Sequence, residues 1–170
     1  MYRLEGKGKI KLQKFLSDAT KLGIVAVGNS LRNDDGVALF LGKSLKKNFE
    51  HVYITEQAPE NFIYKLLSEE YTHILIVDAA EMNLSPGRSA LIQKEELVGG
   101  KIMTHSIPIS FFNHLMERLE VSVLILGIQP KDRSFGQKLT PEVKKGAEKL
   151  LEIILHSLSF LKDSENKEDS

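Results

Sequence analysis

The sequence predicts an α/β fold: a three-layer αβα sandwich, with a mostly parallel twisted sheet and helices on both faces. Three observations predict it. Short apolar runs rich in Val, Ile and Leu occur at 24–27, 52–55, 73–77 and 121–128. Between them lie segments whose apolar residues recur every three or four positions, the spacing of one helix face. Strands and helices alternate at intervals that suit strand-helix-strand crossovers, which cover a parallel sheet on both sides.

From the amino terminus, Ile10, Leu12, Phe15, Leu16, Ala19 and Leu22 stand among Lys and Gln, a weakly amphipathic helix over 10–22 that packs outside the sheet or meets a partner. The run 24–27 ends in Gly28-Asn29 and reads as a buried strand closed by a turn. Val37, Ala38, Leu41 and Leu45 then make a helix, with Lys43, Lys46 and Lys47 toward the end where cations suit the helix dipole. Asn33, Asp34 and Asp35 fall at or just before its start. Either Asn33 or Asp34 is expected to cap it, which leaves Asp35 without a structural role.

Residues 52–55 are a second strand, and Ala58-Pro59 introduces a helix over 60–70 with Phe62, Ile63, Leu66 and Leu67 inward. Residues 73–77 form a third strand ending at Asp78. Leu84-Ser85-Pro86-Gly87 is a turn, and 89–93 a short strand. Thr104-His105-Ser106-Ile107-Pro108 leads into a helix over 109–119 that turns Phe112, Leu115 and Leu119 inward; 121–128 is the most apolar strand. A last helix spans 141–161, with Pro141 in its first turn where the missing amide does no harm. The polar tail 162–170 is expected to be disordered. Without repeat or linker, 1–170 reads as a single domain: a helical extension over 1–21, a core over 22–161, and the tail.

A chain of 170 residues can bury one sizeable core. Its 23 basic and 23 acidic residues cancel, so no overall field points to nucleic acid or an anionic membrane. The absence of cysteine removes disulfides, thiolate metal sites and a cysteine nucleophile together. No run approaches the length of a membrane span, and the start lacks the apolar core of a signal peptide. A cytoplasmic protein is expected, without membrane insertion and as a monomer.

Three polar residues stand where apolar runs stop: Asp35 after the first strand, Asp78 after the third, and His105 before the 109–119 helix. In parallel sheets that end of the strands is where ligands bind. Two carboxylates and an imidazole can hold a divalent cation while leaving positions open, and such ligands suit nickel, zinc or iron. Taken singly, Asp78 can be a turn residue and His105 a loop histidine bonded to backbone. His51, His73, His114 and His156 read as structural or solvated. Ser30, Ser106 and Ser110 lack a G-x-S-x-G elbow or an S-x-x-K pairing. Residues 28–36 match neither dinucleotide nor P-loop patterns. Asp34 and Asp35 are consecutive and point apart, so an acid-base dyad of Asp35 with Asp78 is the more plausible pairing.

Gly28-Asn29-Ser30-Leu31 with Asp34-Asp35-Gly36-Val37, Ile76-Val77-Asp78-Ala79, Pro86-Gly87, Thr104-His105-Ser106-Ile107-Pro108, Leu126-Gly127-Ile128-Gln129-Pro130, Phe135-Gly136 and Leu139-Thr140-Pro141-Glu142-Val143 follow one another in an order that resembles the hydrogenase maturation endopeptidase family. The resemblance covers roughly residues 22 to 155 and implies a phosphorylase/hydrolase-like sandwich. It also implies an enzyme that trims a C-terminal extension from the large-subunit precursor of a nickel-iron hydrogenase once nickel is in place. Nickel would then be carried by the substrate, with the resting enzyme metal-free or weakly binding a divalent cation. The family's metal-contacting positions fall on Asp35, Asp78 and His105, the trio already reached from strand ends. The competing readings are another metal-assisted hydrolase acting on small substrates, and a nickel-dependent assembly factor that docks without cutting.

Overall fold

The computed structural model describes residues 1–99, 102–104, 107–108, 110–111, 113, 115 and 121–168. Among them seven strands form a mixed sheet: β1 (Tyr2–Arg3), β2 (Leu22–Val27), β3 (Val52–Glu56), β4 (His73–Glu81), β5 (Ser89–Ile92), β6 (Met103–Thr104) and β7 (Ser122–Ile128). The order is β1-β5-β7-β4-β2-β3, with β6 pairing with β4 off this path. Strands β3, β2, β4 and β7 are parallel, while along one edge β5 pairs antiparallel with β7 and β1 pairs antiparallel with β5. The helices are α1 (Lys7–Ser17), α2 (Val37–Leu45), α3 (Ile63–Ser68), α4 (Lys94–Val98) and α5 (Pro141–Glu168), with 3-10 turns at Asn33–Gly36 and Pro59–Phe62.

Alternation along each strand divides the apolar residues between two cores. Ile24, Ala26, Leu75, Val77, Leu126 and Ile128 meet Leu12 and Leu16 of α1, Leu41 of α2, and Val143 and Ala147 of α5. Val25, Ile74, Ile76 and Ile125 meet Leu66 of α3 together with Phe111 and Leu115 on the other face. This is the three-layer sandwich expected from the sequence. All six residues of β2 are buried because strands flank it and helices cover both its faces, which is why it reads as one unbroken apolar run.

Several boundaries differ from the sequence reading. The first helix stops at Ser17, and Leu22 already belongs to β2, where it pairs with His73. The N–H groups of Thr20 and Lys21 donate to Thr72 Oγ1, and those of Thr72 and His73 donate to the Lys21 carbonyl. These bonds tie the segment into the sheet before the helix can continue. The 60–70 helix begins as a 3-10 turn, and of its apolar stripe only Leu66 is buried; Phe62, Ile63 and Leu67 are half-covered. Strand β4 runs to Glu81, so Asp78 lies inside it and is no turn residue: β7 pairs with it as far as Ala79, and β6 pairs with Ala80 and Glu81. Helix α5 continues past Leu161 to Glu168, across the segment read as a tail, where Lys and Glu favour helix and neither Gly nor Pro interrupts. Of the 109–119 helix, residues 110, 111, 113 and 115 are helical; Phe112 and Leu119 lie outside the described residues. Strands β1 and β6 are two residues each, too short to leave a periodic signal.

The turn at Leu84-Ser85-Pro86-Gly87 forms as read. Arg88 N–H donates to the Ser85 carbonyl (3.0 Å), with Pro86 and Gly87 at the turn's centre and Gly87 at φ 78°. A Cβ on Gly87 would lie 2.2 Å from the Glu142 carbonyl oxygen, so glycine is also what lets α5 approach this loop. Among the described residues no helix is long and apolar enough to cross a membrane.

Candidate active site

The site begins where β2 stops. Gly28 N–H donates to the Glu56 carbonyl (3.0 Å), which keeps the chain against β3 as it leaves the sheet. A Cβ on Gly28 would fall 2.4 Å from the backbone oxygen of Asp35, so only glycine allows the 33–36 turn to fold back over the strand end. Asn29 N–H donates to that same Asp35 oxygen (3.0 Å), and Asn29 Oδ1 accepts the Leu31 N–H (2.9 Å). Gly28-Asn29 thus sets the position of the acidic pair, and the 33–36 turn packs against β4.

The two acids then diverge. Asp34 is fully buried. Its Oδ2 accepts the N–H groups of Lys131 (2.9 Å) and Asp132 (2.8 Å) and the Thr140 hydroxyl (2.9 Å), and its Oδ1 accepts the Thr140 N–H (2.7 Å). Asn33 works on the same loop: its Nδ2 donates to Asp132 Oδ2 (2.8 Å) and its Oδ1 accepts the Lys138 N–H (3.2 Å). Neither residue caps a helix; Arg32 holds the cap position of the 33–36 turn and makes no side-chain cap bond. The expected capping role is therefore replaced by a long-range one, joining the end of β2 to the loop between β7 and α5.

Asp35, 3% exposed, meets Arg133 of that loop. Arg133 Nε donates to Asp35 Oδ1 (2.7 Å) and Nη2 to Oδ2 (3.3 Å), a two-pronged ion pair. Asp35 thus has the structural partner that the sequence did not suggest. Asp78, 1% exposed, continues the β4 face that carries Ile74 and Ile76, and its Oδ1 accepts the Ala79 N–H (2.8 Å). β2 and β4 are neighbours, paired up to Ala26 and Val77, so both carboxylates stand at the same end of adjacent strands. The third candidate, His105, lies outside the described residues. Thr104, which precedes it, pairs with Ala80. Among the described residues no group of three or more His, Asp or Glu gathers closely enough to hold a metal ion.

Three further residues build the site, and the sequence reading gave them no role. Gln129, buried at the end of β7, accepts the Met82 N–H (2.8 Å) and Leu84 N–H (3.3 Å) and donates to Glu81 Oε2 (2.8 Å). It ties β7 to the segment that leaves β4. Thr140 closes the loop onto Asp34, and Arg133 supplies the cation. The available signal was position: all three lie in the connection after a parallel strand's C-terminal end, where sites form. In the same loop, hydrogen bonds from Ser134, then Asn33, hold the Asp132 carboxyl below the usual range. The Lys131 ammonium, 2.5 Å away, does the same for Glu142.

The other histidines read as the sequence suggested. His51 Nδ1 and His73 Nδ1 lie 3.0 Å from Tyr71 Oη and Thr72 Oγ1 respectively, and His156 is exposed on α5. His114 lies outside the described residues. Ser30 Oγ donates to Glu56 Oε2 (3.0 Å), a carboxylate rather than a histidine base. Chemically, the described site offers two buried carboxylates able to bind a cation, Asp35 being paired with the Arg133 guanidinium.

The model of the hydrogenase maturation protease family matches residues 43–157, a span that includes Asp78, His105 and Arg133 and begins after Asp35. The chain is similar to the hydrogenase 3 maturation protease of Escherichia coli K12, with 33% identity over 132 residues, 74% of this chain and 83% of the relative. A Methanocaldococcus jannaschii relative is 30% identical over 159 residues, 86% of this chain and 94% of its own. Among solved structures, a NiFe hydrogenase maturation protease from Thermococcus kodakarensis shares the fold at a TM-score of 0.78 and 23% identity, over 88% of this chain and 99% of that one. An Escherichia coli endopeptidase solved in solution has a TM-score of 0.66 and 27% identity, over 78% and 88% of the two chains.

Proposed function

The chain belongs to the hydrogenase maturation protease family, and from that premise we propose that it removes the C-terminal extension from the nickel-loaded large-subunit precursor of a nickel-iron hydrogenase. It works as a single cytoplasmic domain and as a monomer. Nickel arrives as part of the substrate, and the resting enzyme is metal-free or binds a divalent cation weakly. Asp35, Asp78 and His105 complete the coordination of that nickel and so anchor the junction to be cut.

The observation that carries this reading is the pair of buried carboxylates, Asp35 and Asp78, at the ends of adjacent parallel strands. Divalent nickel accepts oxygen and imidazole ligands, so two carboxylates at one strand edge with a histidine suit it. β6 supports the third member: Thr104 lies beside Ala80, two residues along β4 from Asp78, and the chain passes from it directly to His105. In the cleavage itself, the oxygen of a water adds to the scissile carbonyl carbon, the C–N bond breaks, and the departing amine takes up a proton. The water is activated either by nickel, which makes a bound water more acidic, or by a carboxylate that takes its proton.

The test is the intact mass of the cognate precursor after incubation with this protein, with and without nickel. Nickel-dependent loss of a C-terminal peptide is the expected result. An unchanged mass with a persistent complex would overturn cleavage in favour of an assembly role, and turnover of small amide or phosphate substrates alone would favour a different hydrolase.

A further inference from the structure

We infer that Arg133 masks Asp35 from free divalent cations, competing with them for the carboxylate so that the site holds free metal only weakly until a docked substrate draws the guanidinium away. The inference rests on the proposed role of Asp35 as a metal contact and assigns a specificity-determining role to a residue of the β7–α5 loop.

The two partners of the ion pair differ in freedom. The Asp35 side chain is 4% exposed and fixed by the 33–36 turn, whereas the Arg133 side chain is 27% exposed. The loop that carries Arg133 is tied down through its neighbours. Lys131, Asp132 and Thr140 are bound to Asp34, Lys138 to Asn33, and Ser134 N–H to Asp132 Oδ1 (2.8 Å). Arg32 Nη1 donates to the Arg133 carbonyl itself (3.3 Å). The guanidinium can therefore leave Asp35 by side-chain rotation while the loop stays in place.

As it stands, the fork covers both carboxylate oxygens. While the guanidinium stays in place, a divalent cation on either oxygen would sit a few ångströms from its positive charge in a partly desolvated site, where such repulsion is strong. Metal binding and the Arg133 contact are thus mutually exclusive. A docked peptide changes the balance, because its carbonyl oxygens or terminal carboxylate offer the five guanidinium donors other acceptors. Free metal offers none.

The experiment is a calorimetric titration of the protein with Ni²⁺, precursor absent. Arg133→Gln is expected to bind about tenfold more tightly than wild type, Arg133→Lys to remain near wild type because the charge stays, and the gain to vanish in the Asp35→Asn/Arg133→Gln double variant. Equal affinity of Arg133→Gln and wild type overturns the mask. Should Arg133→Gln fail to fold, wild type answers alone: the Arg133 Nε–H resonance, protected by Asp35, should change in step with metal occupancy, and a resonance unmoved at saturation overturns the inference. These readouts are separate from processing. If Asp35→Asn still trims the precursor normally, the proposed site falls while the titration still decides the mask.

Discussion

Replacing Asp34 should destabilise the protein far more than replacing its neighbour Asp35. The Asp34 carboxylate is fully buried and accepts four hydrogen bonds, three from backbone amides of Lys131, Asp132 and Thr140 and one from the Thr140 hydroxyl. Bonds to a charged acceptor contribute about 1.5–3 kcal/mol each when removed singly. Here all four share one carboxylate, and the loop donors are only partly buried, so water recovers some of the loss. Asp34→Ala should therefore cost about 3–5 kcal/mol, a large part of the ~5–15 kcal/mol by which a domain is stable. Asp34→Asn keeps one acceptor oxygen but turns an NH₂ toward donors, and should cost about 2–3 kcal/mol. Asp35→Asn removes an ion pair whose other half can turn to water, and should cost at most ~1.5 kcal/mol. Urea unfolding measures all three; with a slope near 2 kcal/mol/M, Asp34→Ala moves the midpoint down by roughly 2 M. Amide exchange at Lys131, Asp132 and Thr140 should accelerate in the same variant. A midpoint within about 0.5 M of wild type, with exchange unchanged, would show that the loop does not depend on this carboxylate.

Other outcomes follow from the same geometry. Asp35→Ala, Asp78→Ala and His105→Ala should each abolish precursor processing with thermal unfolding close to wild type; three variants that process at the wild-type rate would remove the site assignment. Gly28→Ala drives a Cβ to 2.4 Å from the Asp35 carbonyl oxygen; it should cost about 1–3 kcal/mol and slow processing, because the turn that bears Asp35 must shift. Tyr71 is buried and hydrogen-bonded to Tyr53 (2.5 Å), and burial first, then that bond, raises its phenol well above the ordinary range. The unfolded phenol loses its proton near pH 10 while the folded one keeps it, so stability is intact below that pH and falls above it by up to ~1.4 kcal/mol per unit. Tyr71→Phe should flatten this alkaline slope, and an unchanged slope in urea titrations from pH 9 to 11 would contradict the assignment.

The fold was legible in the sequence because its central strands are buried on both faces, which leaves unbroken apolar runs such as Ile24 to Val27 and Ile74 to Val77. Where a strand owes its extent to a distant partner the reading stopped short. Asp78 looked like a strand end because the apolar run ends at Val77, yet β6 and β7 carry the ladder through Glu81. The site was legible to the extent that its acids follow strands. Asp35 and Asp78 were proposed from that position; Arg133, Gln129 and Thr140 were not, because their roles depend on contacts far along the chain, roughly a hundred positions away for Arg133 and Thr140 and about half that for Gln129. The capping role assigned to Asn33 or Asp34 failed for the same reason. A local rule about helix ends competes with a non-local demand for acceptors, and the loop's backbone donors outnumber those of one short turn.

Two consecutive acids thus make contact with one loop in different ways, and the difference bears on how such a site can wait for its substrate. Asp34 fixes the loop backbone through donors that cannot leave without moving the chain. Asp35 holds a side chain, the partly exposed Arg133 guanidinium, rather than backbone. Asp78 differs from both, since β4 is paired on either side and its carboxylate is positioned by the ladder itself. On the proposed reading, one rigid carboxylate and one conditional carboxylate at the same strand edge would give a cation site whose geometry is set in advance but whose charge is partly cancelled. Making every ligand rigid and unmasked would raise affinity for any divalent ion in solution. Masking one by a removable arginine sacrifices that affinity and makes engagement depend on whatever else contacts the loop, a dependence expected of an enzyme whose metal is presented by a protein substrate.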